Sequence, residues 1–191
     1  MEKYFNNAII GNSNILGCIT DRGELIRLYY PNIDYFQLID VYSLGVFDDN
    51  KVYWFKDGQL INQYYEGNIL YTELSVNGVN VIIRDYVVPE RNIFVRAVKF
   101  MKPSNFMIYS KLNSDINKHI SSMVVNNTLI QYCQDMYMAS FANKNIYKYR
   151  INNAKHYLET LEFDVSDYIG MSSDAITSYN EISDITLYIT L

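Results

Sequence analysis

The feature that most constrains this chain is a repeated alternation of short apolar runs with turn-forming residues. Ile69 to Val76 is followed by Asn77-Gly78 and then by Val79 to Val88. Asn-Gly between two alternating runs is a strong short-range signal for a β-hairpin, because both residues tolerate the positive φ of a type I′ turn. The segment therefore predicts two antiparallel strands joined by a tight turn.

The same arrangement of strand, turn and strand occurs four more times. The turn residues are Asp21-Arg22-Gly23, Asp57-Gly58, Pro103-Ser104-Asn105 and Asn126-Asn127. Turns at this spacing are typical of sandwiches and barrels rather than of alternating βα units. Plausible helical spacing occurs only over residues 153–163. We therefore predict an all-β antiparallel sandwich of two packed sheets with little helix, formed by residues 1–191 as a single domain.

Composition narrows the classes of function. The chain has 191 residues, which suits one domain, and its 19 tyrosines favour strands. The net charge of −5 and the lack of a basic block argue against a nucleic-acid partner. No apolar run approaches the ~20 residues of a membrane helix, which predicts no membrane partner. The opening MEKYFNNAII lacks the apolar region of a secretory signal, so we expect a cytoplasmic location.

Residue types that carry metal or nucleophilic chemistry are few and scattered. Cys18 and Cys133 form no metal pattern; two buried free thiols are the simpler interpretation, and a single disulfide stays open. His119 and His156 lack metalloprotease spacing. No nucleophile elbow and no phosphate-binding glycine motif is present. The sequence thus predicts no catalytic residues, no metal and no cofactor for this chain.

Asp85 interrupts an otherwise apolar strand face formed by Val81, Ile83 and Val87. A buried aspartate needs charge or hydrogen-bond partners, and Arg84 and Arg96 are the candidates. We favour a structural ion pair or turn anchor for Asp85 and Arg96 over a catalytic role.

An aromatic segment, YYPNIDYF, covers residues 29–36, and Trp54 follows in a later run. Aromatic rings beside carboxylates and amides are typical of sugar-binding sites. Aromatic residues also pack in sandwich cores and against neighbouring domains. The segment therefore allows a sugar contact or a contact between domains, with packing favoured.

Two stretches resemble glycoside hydrolase family 15 proteins of the bacterial and archaeal type (glucoamylase and glucodextranase-like proteins). The first is AIIGNSNILGCITDRGELIRLYYPNIDYF, and its matching positions are Gly11, Asn12, Asp21, Gly23, Tyr30, Pro31 and Asp34. The second is VNVIIRDYVVPERNIFVRAVKF, in which Asp85, Tyr86, Pro89, Val95 and Arg96 carry the match. Tyr30 stands where many members of the family have tryptophan.

The resemblance implies a large antiparallel β-sandwich (a supersandwich) that packs through a linker on a catalytic (α/α)6 barrel. In the family that barrel holds two glutamates that hydrolyse α-glucosidic bonds with inversion. Relatives act on starch-type glucans, dextran-type glucans or trehalose. The barrel is expected after residue 191, so no catalytic glutamate is assigned within this chain.

The sequence is compatible with three functions. The favoured one is a non-catalytic N-terminal domain whose partner is the barrel of the same polypeptide, with α-glucan as a further potential partner. The alternative is a stand-alone carbohydrate-binding module; an enzyme complete in this chain is disfavoured, because no nucleophile and base are visible. The candidate contact residues are Asn12, Tyr30, Pro31, Asp34, Tyr35, Phe36 and Trp54.

Overall fold

A computed structural model gives the fold. The residues that it describes are 7–31, 33–34, 37–48, 51–113, 120–133, 136–151, 154–155, 158 and 173–191. They include fourteen strands: β1 (Ala8–Gly11), β2 (Leu16–Ile19), β3 (Leu25–Tyr29), β4 (Ile39–Phe47), β5 (Val52–Trp54), β6 (Gln59–Glu66), β7 (Ile69–Val76), β8 (Val79–Val87), β9 (Ile93–Leu112), β10 (Ser121–Val125), β11 (Thr128–Cys133), β12 (Met136–Ala142), β13 (Lys148–Ile151) and β14 (Asp174–Thr190). A short 3-10 helix, Phe55–Asp57, follows β5.

Two long antiparallel strands, β9 and β14, organise all the others. The first part of β9 lies between β8 and the end of β14, whereas its second part lies between β4 and the start of β14. Their mutual register shifts on both sides of Ile182, where Glu181 has a φ of 46°. Both strands therefore pass from one sheet into the other, because bulges and bends let a strand change direction.

The partners of these long strands define two sheets that share them. One sheet has the order β6-β7-β8-β9-β14-β12-β11-β10, and the other runs β1-β2-β3-β4-β9-β14-β13, with β5 against β4. The main core draws side chains from both sheets; within it Phe106 lies 5.4 Å from Phe100 and 6.1 Å from Tyr179 between ring centroids. The predicted all-β antiparallel sandwich is confirmed.

Three of the predicted turns form as the sequence indicates. Asn77 and Gly78 (φ 47° and 73°) join β7 to β8, and Asn126 and Asn127 (φ 48° and 62°) join β10 to β11. Gly23, with a φ of 73°, lies in the turn between β2 and β3. Its positive φ favours glycine, and a Cβ atom there would also displace the terminal methyl of Ile83, which would lie 2.7 Å away.

Two predicted turns are wrong. Strand β9 continues through Pro103-Ser104-Asn105, because these residues mark the place where β9 exchanges one set of partners for the other. Asp57-Gly58 does not join a hairpin, since β5 pairs with β4 while β6 pairs with β7. The buried Phe55 of the 3-10 helix anchors the connection between β5 and β6.

The predicted helical segment is described only in part. Ala154, Lys155 and Leu158 have helical backbone, and the other residues of 153–163 lie outside the described residues. Cys18 and Cys133 are both buried and free. Within the described part of the chain, no helix is long and apolar enough to cross a membrane.

Candidate functional site

Several of the predicted contact residues meet in one cluster of loops at the end of the sandwich. This loop rim consists of residues 12–15 between β1 and β2, Tyr30-Pro31 after β3, and residues 88–92 between β8 and β9. Asn12 is its central residue. Its Oδ1 accepts hydrogen bonds from the amides of Asn14 (2.8 Å) and Ile15 (2.9 Å), which closes the loop locally.

The amide group of Asn12 also links this loop to the next one. Its Nδ2 donates to the carbonyl of Arg91 at 3.0 Å and, more weakly, to that of Val88 at 3.4 Å. One side chain therefore satisfies backbone groups in two loops that are far apart in sequence. This is a positioning role for Asn12, because its polar atoms are already engaged within the chain.

Tyr30 joins the rim through a chain of side-chain hydrogen bonds. Asn14 Nδ2 donates to Asn92 Oδ1 at 3.1 Å, and Asn92 Nδ2 donates to the Tyr30 hydroxyl at 3.0 Å. The Tyr30 ring is partly buried against the main core, and the Tyr30-Pro31 peptide bond is cis. The geometry thus fixes the Tyr30 ring within the fold.

The remaining predicted contact residues are distributed differently. Asp34 is exposed, and its neighbour Ile33 is 62% exposed. Tyr35 and Phe36 lie outside the described residues. Trp54 is partly buried in a separate cluster around Met107 and does not join the loop rim.

The final strand also reaches the rim. The amide of Leu191 donates to the carbonyl of Asn92 at 3.1 Å, and Thr190 is the register partner of Ile93. Asn92 therefore contacts three parts of the molecule: the loop after β1, Tyr30 and the end of β14. Sequence reasoning did not single out Asn14 or Asn92, because asparagine is abundant and only the tertiary contacts distinguish these two.

Asp85 and Arg96 form a buried ion pair. They are register partners on β8 and β9, and both side chains are 0% exposed. Arg96 Nε lies 2.7 Å from Asp85 Oδ1, and Arg96 Nη2 lies 3.1 Å from Asp85 Oδ2, which is a two-pronged contact. Arg96 Nη2 also donates to the carbonyl of Gly23, so the pair holds the turn between β2 and β3.

Burial is the main cause of the pKa shifts of Asp85 and of two buried tyrosines, Tyr42 and Tyr179. Burial raises the pKa of Asp85, and the adjacent Arg96 guanidinium partly offsets that effect. Burial also raises the pKa of the nearby Tyr42 well above its ordinary value, and it raises the pKa of Tyr179 to about 12. Arg96 Nη1 has no hydrogen-bond partner among the described residues. Since Asp85 and Arg96 are closed to solvent, they cannot contact a substrate in this structure.

No group of three or more His, Cys, Asp or Glu side chains with metal-binding geometry occurs among the described residues. His119 and His156 lie outside them.

A solved structure shares this fold, and a further protein is similar in sequence. A bacterial glucoamylase, solved in complex with acarbose, aligns with a TM-score of 0.81 over 98% of this chain and 32% of its own, at 12% identity. An uncharacterized glycosyl hydrolase of Methanocaldococcus jannaschii is 27% identical over 145 residues, which is 75% of this chain and 23% of that protein. Heparinase III aligns with a TM-score of only 0.40, too low to indicate a shared fold. No family model matches the chain.

The chain has the fold of part of a bacterial glucoamylase. It spans about a quarter to a third of the length of the proteins that it matches. At 12% identity the structural match establishes the fold, and function has to be argued separately.

Proposed function

We propose that this chain is the non-catalytic N-terminal domain of a glucoamylase-like glycoside hydrolase of family 15. It packs on and supports a catalytic (α/α)6 barrel of the same polypeptide, and that barrel hydrolyses α-glucosidic bonds in glucans. The observation that carries the proposal is the match of 98% of this chain to about a third of a bacterial glucoamylase. The sequence similarity of 75% of this chain to 23% of an uncharacterized glycosyl hydrolase supports it.

The burial and hydrogen bonds of the residues that carry the family resemblance favour a supporting role for this domain. Glycosidases of this kind work with two carboxylates that face the scissile bond. Asp85, the carboxylate that carries the match in the second family-like stretch, is 0% exposed and is paired with Arg96. Asn12 and Tyr30, from the first stretch, are engaged in hydrogen bonds within the loop rim. These residues therefore serve the architecture of the domain.

The loop rim is the surface that we assign to the contact with the barrel. Ile33, two residues after Pro31, is 62% exposed and is therefore accessible for burial against a neighbouring domain. A polypeptide that continued past Leu191 would leave the sandwich beside Asn92. The following domain would then begin next to the rim.

The first test compares hydrolysis by two proteins. The reading frame is sequenced past Leu191, and glucose release from maltooligosaccharides is measured for the longer polypeptide and for the 191-residue chain. We expect a helical region after Leu191 and glucose release by the longer polypeptide only. A stop codon directly after Leu191, or glucose release by the 191-residue chain alone, would contradict the proposal.

The second test locates the contact. In the longer polypeptide, Ile33→Asp is expected to separate the unfolding transition of the sandwich from that of the barrel in calorimetry, because a charge would be buried at the interface. Met101→Asp is the matched control: Met101 is 54% exposed, and it lies eight residues along β9 from Ile93, or about 26 Å. Equal effects of the two substitutions would exclude the rim as the contact.

A further inference from the structure

A small cavity lies beside the hairpin that β11 and β12 form, and none of its lining residues belongs to the loop rim or to the ion pair. Its volume is about 20 Å³, and about 10–15 Å³ is enough for one water-sized sphere. Its walls include three aliphatic side chains and three that carry sulfur: Leu38, Leu112, Ile120, Cys133, Met136 and Met138. We call this cavity the sulfur pocket.

The register of the hairpin brings the three sulfur-containing side chains onto one face. Cys133 is the register partner of Met136, and Met138 is the partner of Gln131, two residues before Cys133 on β11. In an antiparallel pair, the Cβ atoms of register partners lie about 4.5–5.5 Å apart, and diagonal neighbours lie about 7–8 Å apart. Methionine has three rotatable bonds, so its sulfur can reach a shared centre across these distances. Three sulfur atoms can therefore meet at one ion.

The thiol of Cys133 is a buried group that the described part of the fold does not use. Cys133 is 5% exposed and Met138 is 1% exposed, whereas Met136 is partly exposed. The thiol is free, and it forms no hydrogen bond within the described part of the chain. The neighbouring Gln131, by contrast, is already engaged, because its Oε1 accepts a hydrogen bond of 2.6 Å from Ser110. The thiol therefore remains available to a ligand in the pocket.

The donor set of the pocket selects a soft monovalent cation. One thiolate with two thioethers suits Cu(I), whereas Zn²⁺ takes four ligands from Cys, His, Asp and Glu, and Ca²⁺ and Mg²⁺ take oxygen. As Cu(I) binds, the S–H bond of Cys133 breaks, the proton passes to solvent and a Cu–S bond forms, with no change of oxidation state. A neutral thiolate–Cu(I) pair thus replaces a neutral thiol. Because no net charge is buried, aliphatic walls are compatible with the ion.

We infer that the sulfur pocket binds one Cu(I) ion through Sγ of Cys133 and the Sδ atoms of Met136 and Met138. The ion enters beside Met136, which is partly exposed, and Tyr137, which is 59% exposed. The described residues hold no metal-binding cluster of His, Cys, Asp and Glu, but that finding does not concern this pocket, because two of its three donors are thioethers. The inference does not rest on the proposed function, since it concerns ion binding by the 191-residue chain itself.

The test is a titration of the 191-residue chain with Cu(I), kept reduced by ascorbate in the absence of oxygen, in competition with a chromogenic Cu(I) chelator. We expect one Cu(I) to be retained per chain, and about one proton to be released per ion in weakly buffered solution. X-ray absorption spectra should show sulfur neighbours around the copper. Zn²⁺ should bind far more weakly, because the pocket offers it only one of the ligand types that it takes.

Single substitutions assign the ion to these sulfur atoms. Altering a residue that merely supports a metal ligand costs about 10–100-fold in affinity, so Cys133→Ser, which removes a ligand, should cost about 100-fold or more. Met138→Leu nearly conserves volume and should cost about tenfold or more. Cys18→Ser and Met107→Leu are the matched controls, since both residues are buried outside the pocket, and they should leave the affinity unchanged. Circular dichroism checks that each variant is folded.

The inference is overturned by any of three results. These are a chain that retains no Cu(I) against the chelator, an affinity that falls no further in Cys133→Ser than in Cys18→Ser, and oxygen or nitrogen neighbours in place of sulfur around the copper. If Cys133→Ser does not fold, the double variant Met136→Leu with Met138→Leu decides, and an unchanged affinity there overturns the inference as well. None of these results bears on glucose release by the longer polypeptide, so this inference and the proposed function fail separately.

Discussion

The buried ion pair and the loop rim connect the same parts of the molecule by different chemistry. Asp85 and Arg96 hold the turn at Gly23 to β8 and β9 with charges that are 0% exposed. The rim holds the loop at Asn12 to the β8–β9 connection with neutral amides close to solvent. Both therefore fasten the first strands of the chain to β8 and β9.

The difference lies in what happens when one partner is lost. A buried charge without its counterion keeps its full desolvation penalty, whereas a partly exposed amide regains hydrogen bonds from water. A single substitution in the ion pair should therefore lower the free energy of unfolding strongly, whereas joint replacement of both residues should lower it only weakly. The rim should respond moderately to each substitution and show no dependence on pH, because its amides do not titrate.

The largest effect is expected for Arg96→Met. This substitution leaves Asp85 buried without a counterion, and we expect the free energy of unfolding to fall by about 3–5 kcal/mol. Replacing both partners by apolar residues, Asp85→Leu with Arg96→Met, should lower the free energy of unfolding clearly less than the single substitution does. Urea denaturation of the three proteins measures these differences.

The control for this experiment is Arg84→Met. Arg84 precedes Asp85 on β8 but is exposed, so its loss should change the free energy of unfolding by less than about 0.5 kcal/mol. A double variant that is as unstable as Arg96→Met would show that the loss of stability does not come from the buried charge left on Asp85.

The next effect is a dependence of the free energy of unfolding on pH, which is expected for the core and not for the rim. Because the pKa of Tyr179 is about 12 in the folded chain and near its ordinary value of about 10 when unfolded, the folded state holds this proton more tightly. Its contribution to stability is complete below about pH 10 and is lost as the pH rises toward 12, at up to about 1.4 kcal/mol per pH unit.

Tyr179→Phe should make the decline between pH 10 and 12 less steep, as measured by urea denaturation at several pH values. Tyr42, whose pKa burial also raises, would account for part of the decline that remains. An unchanged slope in Tyr179→Phe would show that this tyrosine does not titrate with unfolding.

A smaller effect is expected at the rim for Asn12→Ala. This substitution removes two accepted hydrogen bonds and the donated bond to Arg91, and we expect a loss of about 1–2 kcal/mol at any pH from 6 to 9. Ser13→Ala, at the exposed neighbouring position, is the matched control and should be nearly neutral. A loss of stability in Asn12→Ala that varied with pH would contradict the expectation that the rim, unlike the core, does not depend on pH.

The smallest effect is expected for Tyr30→Phe, which keeps the ring and removes the hydroxyl that accepts from Asn92. The expected loss in the free energy of unfolding is about 0.5–1.5 kcal/mol, measured by urea denaturation. A larger loss would mean that the hydroxyl supports more of the rim than its one hydrogen bond accounts for.

Parts of this arrangement were predictable from local sequence. The Asn77-Gly78 and Asn126-Asn127 turns were predicted correctly, because their positive φ values follow from the residues themselves. The residues Pro103-Ser104-Asn105 also predict a turn, since proline, serine and asparagine favour turns, yet β9 continues through them. Contacts with β4, β8 and β14 on its two halves override the local preference, and none of them is visible in the residues of the segment.

By itself the sequence determined the all-β class and most of the turns, because strand alternation and turn chemistry are properties of neighbouring residues. It also marked Asp85 as a residue in need of a partner, since a carboxylate interrupts an apolar face. Only the tertiary structure decided that this partner is Arg96 rather than Arg84, that Asn92 joins three parts of the chain, and that distant residues complete the sulfur pocket. Those outcomes depend on which distant strands become neighbours, and that is settled by packing the whole core.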